Sequence, residues 1–305
     1  MNKLPLGQTI AFGYAFLVTE FSTIVRVCWI PSLLIVASDY LLRRYTFFYS
    51  GGNAETSSAL SDFVVLSAAL SLWLFSSSVM AVGITRLAMG LELDKGKIYF
   101  PLGRTELRMF TANIRYVLSV AVLIVLAALV SALVLYLAGV EFGQAEAQEA
   151  APAALFASFV VFLLFGYVLV SAVRLAFFLP AIVVAEDKGL ERAHSAAAGN
   201  VWRILAVLVG IAAPLVVIGT LCEAAILIAA FGGDVLAGDP GAIFENLEEA
   251  AAARPLAWAA YRFSFNIALM GIVPSTAAFA YLKVTEGVQG KPGGVTPPPR
   301  VPPLV

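Results

Sequence analysis

Glu223 is the residue whose chemistry most constrains this chain. It sits inside a long apolar segment that begins at Ile204, and a carboxylate in hydrocarbon is costly unless it is protonated, paired or wet. Such an acid is either a proton or cation site, a pole in a polar pathway, or a hydrogen-bonded group that locks helix packing. Arg262 and Asn266, four residues apart in the last apolar segment and so on one helical face, are its candidate partners. Arg86 and Arg174 each close another apolar segment. A guanidinium there can grip a lipid phosphate with its fork or simply anchor the helix end. Arg104, Arg108 and Arg203 lie in the basic connecting segments and join the list of candidate headgroup ligands.

Other chemistries find little support. There is no Walker A loop, no Gly-x-Ser-x-Gly elbow and no His-Glu-x-x-His pair. Cys28, Cys222 and His194 cannot build a disulfide framework or a metal cluster, and both cysteines read as small buried hydrophobes. Neither metal nor cofactor is expected, and the chain reads as non-enzymatic.

The elements that must position these residues are set by hydropathy. Between Asp62 and Arg86 lie 23 residues without a charge, and comparable runs cover 118–140, 150–173, 204–222 and 263–282. A bilayer core about 30 Å thick needs roughly 20 apolar residues in a helix. Hydrophobic residues make up 61% of the chain and charged ones 13%, about half the charge of a soluble domain. The expected fold is an all-α polytopic membrane protein of six transmembrane helices in three hairpins, occupying 1–285. Its spans are placed near 25–42, 62–90, 116–139, 152–180, 203–231 and 257–283, with interfacial amphipathic helices near 6–24, 98–112 and 189–200. Glu20, Arg26 and Asp39 interrupt residues 4–42; one tilted helix over that stretch competes with the split. The first residues do not resemble a cleaved signal peptide, since Gln8 and Thr9 break the apolar run early.

Lysine and arginine counts orient these spans. Thirteen fall in the segments on one side, including Lys95, Lys97, Arg104, Arg108 and Arg115; only Arg43, Arg44 and Arg254 fall on the other. Positive charge collects in cytoplasmic loops, which predicts both termini in the cytoplasm. The basic segment 95–115 mixes its charge with Phe100, Leu107 and Phe110, the pattern of a helix lying on anionic headgroups rather than on nucleic acid. Ser76, Ser77, Ser78, Ala81 and Thr85 mark a close-packing helix face. Pro214 and Pro274 are expected to kink the last two spans. The last 15 residues, 291–305, hold six prolines and two glycines, so 286–305 is expected to be a disordered tail.

A recurring unit is suggested by Leu4-Pro-Leu-Gly-Gln-Thr9 against Phe100-Pro-Leu-Gly-Arg-Thr105, and by Thr85-Arg-Leu-Ala88 against Val173-Arg-Leu-Ala176. The stretch 177–203 carries a further pattern: Pro180 at the end of a span, Glu186 and Gly189 in a turn, Ala193 with Ser195 or Ala197 in a short helix, then Trp202 and Arg203. In this the chain resembles the membrane domain attached to some bacterial glycerophosphoryl diester phosphodiesterases and its stand-alone six-span relatives. The resemblance implies a fold and an inner-membrane location. It implies no activity, because these 305 residues include no soluble phosphodiesterase domain.

The leading expectation is a bacterial inner-membrane protein that organises lipids or partners, the latter a membrane protein or a second copy of the chain. The competing reading is a small transporter or channel built on Glu223 and the kinked last two spans. A lipid-modifying enzyme would need a second carboxylate beside Glu223.

Overall fold

In the computed structural model every described regular element is a helix. The structure describes residues 3–50, 59–91, 93, 100, 101, 103–137, 177–185, 189–232, 247 and 249–285, with single positions between 159 and 173. Most of the expected 152–180 span therefore lies outside the described residues, as do Arg174 and the proline-rich tail. Eight helices are followed here: α1 Leu6–Thr19, α2 Phe21–Ser50, α3 Ala59–Ala88, α4 Arg104–Leu137, α5 Phe178–Ala185, α6 Gly189–Ala197, α7 Val201–Phe231 and α8 Pro255–Thr285. Five of them contain segments long and apolar enough to cross a membrane: Phe21–Leu42, Phe63–Ala88, Arg104–Val130, Val201–Phe231 and Pro255–Thr285. The chain is thus a helical membrane protein.

Local chemistry explains the boundaries. Pro5 caps α1, where its missing N–H costs nothing. The helix stops at Thr19, with the Glu20 N–H donating back to the Phe16 carbonyl at 2.9 Å. The first expected helix, 6–24, is therefore shorter, and the span after it starts four residues earlier than expected. At the end of α3 Gly90 adopts φ +70, Leu91 N–H reaches the Arg86 carbonyl (2.9 Å) and Gly90 N–H reaches Leu87 (3.0 Å). This pair of bonds satisfies the last carbonyls and needs a left-handed residue that glycine supplies without strain. The α5 helix begins at Phe178, so Pro180 falls in its first turn, and the helix runs on to Ala185 instead of stopping at the proline. The α7 and α8 helices likewise continue through Pro214 and Pro274.

Two expected interfacial segments differ from their forecast. Residues 104–112 do not form a separate helix; they are the first turns of α4, which continues without a break to Leu137. The α1 helix packs along α8, with Thr9, Phe12, Gly13 and Phe16 buried. Only α6 matches the predicted short, separate helix.

The α8 helix is the centre of the bundle. It touches α1, α2, α3, α5, α6 and α7. Because lipid tails are as apolar as leucine, helices in a bilayer associate through close packing and hydrogen bonds rather than through hydrophobic burial. The contacts follow that rule. Gly13 of α1 lies against Thr276 and Ile272, and Gly271 of α8 faces Leu17 and Ile24, where an added Cβ would come within 2.7 Å of Leu17. Phe12 stacks on Phe279 with centroids 4.3 Å apart. On α3 the serines Ser76, Ser77 and Ser78 and Thr85 are buried, as a close-packing face requires. The α4 helix is the exception: it holds α3 through Phe110 on Phe75 and Asn113 on Ser78 (2.9 Å), then leaves Leu118, Val122, Leu126, Leu129 and Leu133 exposed.

Candidate functional site: two polar levels in the bundle

The α2 and α8 helices run antiparallel, meeting at Ile24 and Gly271 and again at Asp39 and Arg262. At the second meeting Arg262 donates from Nε (2.8 Å) and from Nη2 (2.5 Å) to Oδ2 of Asp39. The two side chains are 25% and 16% exposed, so this is a mostly buried ion pair whose members would each be costly alone. One residue along α8, Tyr261 points to α7, and its hydroxyl donates to Oε1 of Glu223 at 3.1 Å. Asn266 is buried one turn further, with its Nδ2 unpaired. The expected pairing is thus corrected: Arg262 closes on Asp39, Glu223 takes the tyrosine, and Asn266 bonds to neither. The reason is angular, since neighbouring residues on a helix point about 100° apart. Tyr261 and Arg262 therefore serve the helices on either side of α8.

The opposite end of the bundle, where α4 and α7 begin and α3 and α8 finish, carries a second polar level. Arg86 sits 3.5 Å from Oε1 of Glu106 and donates from Nη2 to Thr105 Oγ1 at 3.2 Å. Glu106 is fully buried, and neither oxygen has a hydrogen bond of good geometry. Gly103 leaves room for that carboxylate. At the same end of the bundle, Asn200 Oδ1 accepts the Leu4 N–H (3.1 Å) and Arg203 Nη1 donates to the Leu4 carbonyl (2.8 Å). These bonds tie the start of α1 to the start of α7. Arg104 is exposed and Arg108 partly so.

No family model, curated protein or solved structure matches this chain. Function rests on the geometry alone.

A narrow crevice between α1, α5, α7 and α8 is lined by Leu4, Phe177, Ile204, Val207, Ile211, Ala280 and their neighbours and holds about 10 Å³. It reaches Ile211 on α7 and Val273 on α8, 12 residues or about 18 Å of helix short of Glu223. Among the described residues no group of three or more histidine, cysteine, aspartate or glutamate side chains is placed to hold a metal ion.

Of the functional polar residues, Asp39, Tyr261, Glu106 and Asn200 were missed as partners. Asp39 was the findable one. It stands near one end of its span, as Arg262 does in the last span, with opposite sign and on the same side of the predicted membrane.

Proposed function

We propose that this is a six-span bacterial inner-membrane protein with both termini in the cytoplasm, and that it organises membrane lipids or partner proteins without catalysing a reaction. The observation that carries this reading is the division of charge. At the Glu223 level Asp39 faces Arg262 and Glu223 faces Tyr261, which fixes α2 and α7 to α8. At the other level Arg86 ties α3 to α4, and the Leu4 bonds tie the segment before α1 to the start of α7, so exposed Arg104 there stands on a helix held by its neighbour. Fixed basic groups at a cytoplasmic helix end suit anionic headgroups. The positive-inside count, the paired motifs at Leu4 and Phe100 and the resemblance to the phosphodiesterase-linked membrane domain support six spans in three hairpins.

The test replaces Lys95, Lys97, Arg104 and Arg108 with glutamine in the full chain, extracted with its native lipids. Anionic lipid and cross-linked partners retained by the wild type should both fall severalfold. Unchanged retention of both would sink the reading.

A second reading, a small transporter, draws on Glu223, Tyr261, Asp39 and Arg262 standing at one level on three helices. It requires pH-dependent flux into proteoliposomes that Glu223→Gln abolishes.

A further inference from the structure

The arginines of this bundle fall into two kinds. Arg262 faces Asp39 and Arg86 faces Glu106, so their charges are neutralised within the protein. Arg203 is bonded to a neutral partner, the Leu4 carbonyl, and among the described residues no carboxylate stands within ion-pair distance of it. Its position is set while its charge is left over. The clamp is firm, because Asn200 takes the N–H of the same Leu4. With Nη1 committed, Nε and Nη2 have no hydrogen bond to a described residue, which leaves donors of the planar fork for an anion.

The surroundings say which anion. Lys3, one residue before Leu4, is exposed, and Trp202, one residue before Arg203, is 77% exposed, as interfacial tryptophans are. The neighbours of Arg203 on the other side are apolar. Buried Leu4 and Ile204 line the crevice with Phe177, Val207 and Ala280, and the Thr276 hydroxyl in that lining is spent on the Ile272 carbonyl, so the crevice side has little to offer a free ion. We propose that Arg203, helped by Lys3, binds the phosphate of an anionic phospholipid of the inner leaflet. Its acyl chains then lie against the outer side of α7 beside exposed Trp202. The proposal rests on the lipid-organising reading and names its lipid class and its principal ligand.

The experiment places the full chain in nanodiscs of mixed phosphatidylglycerol and phosphatidylcholine and counts retained lipids by native mass spectrometry. Wild type should keep phosphatidylglycerol severalfold above its share. Arg203→Gln keeps a donor for the Leu4 carbonyl but loses the charge, and should cut that enrichment about tenfold. Arg203→Lys should fall between. Inorganic phosphate at matched concentration should not displace the lipid; displacement would mean a free-anion site and overturn the proposal. Enrichment that survives Arg203→Gln overturns it as well. If that variant fails to fold, Lys3→Gln decides, since Lys3 is exposed, with an expected drop of about twofold; no drop overturns the assignment. Loss in Arg104→Gln/Arg108→Gln with Arg203→Gln unaffected would sink this site and leave the wider reading standing. No enrichment in wild type would sink both.

Discussion

Arg262 and Arg203 are both arginines on long apolar helices, yet one is closed on Asp39 by two hydrogen bonds and the other holds only a carbonyl. The first lies against α2, mostly buried; the second stands at the start of α7 beside exposed Lys3 and Trp202. On the proposed topology, distance from the helix end accounts for the contrast: Arg262 lies about two turns into α8 and Arg203 in the first turn of α7. A charge inside hydrocarbon must find a protein partner, because neither water nor headgroup is there to solvate it. A charge at a helix end can leave part of its valence to the membrane surface. On the proposed reading, one level of this bundle serves assembly and the other, while joining helices, also meets the bilayer surface.

Removing one partner of the inner pair is the strongest way to break that comparison. Asp39→Ala leaves Arg262 unpaired and should cost about 3 kcal/mol, read as a large drop in thermal midpoint in detergent. Asp39→Ala with Arg262→Leu should recover much of it; a double variant no better than the single would mean that the pair matters for something other than charge. Packing comes next. Gly13→Leu drives a side chain into Thr276 and Ile272 and should cost about 2 kcal/mol, as overpacked sites do; a neutral result in the same melt would show that α1 is loosely docked. Tyr261→Phe removes one hydrogen bond to Glu223 and should cost about 1 kcal/mol, in keeping with interhelical bonds inside bilayers. Smallest of all, Leu126→Ala on the exposed face of α4 should change the melt by less than about 0.5 kcal/mol. A loss of about 2 kcal/mol there would reveal packing on α4 that its exposure does not suggest.

Much of the fold was legible because a lipid environment is a severe filter. The charge-free runs ending at Arg86 and beginning at Ile204 and Phe263 map onto α3, α7 and α8, since only an internally bonded helix can place such residues in hydrocarbon. The boundaries were harder. Residues 98–112 carry an amphipathic pattern, but nothing between Arg104 and Leu137 breaks a helix, so 104–112 merged with the span. The α1 helix reads as interfacial because Glu20, Arg26 and Asp39 interrupt residues 4–42; its burial depends on Gly13, Gly210 and Gly271 lying on three different helices, and no local pattern announces that convergence. The polar sites were half visible. Glu223 and Arg262 stand out as charges in apolar runs, whereas the choice of partner depends on the rotation of α8 about its axis, which a one-residue step from Tyr261 to Arg262 decides.

The most direct test of this division of charge is the thermal midpoint of the purified chain in zwitterionic detergent as phosphatidylglycerol is added. A ligand that binds only the folded state raises the midpoint with its concentration. The midpoint should rise by a few degrees in wild type and in Glu223→Gln, and the rise should vanish in Arg104→Gln/Arg108→Gln/Arg203→Gln. A rise that survives the triple variant, or one lost in Glu223→Gln instead, would contradict the account.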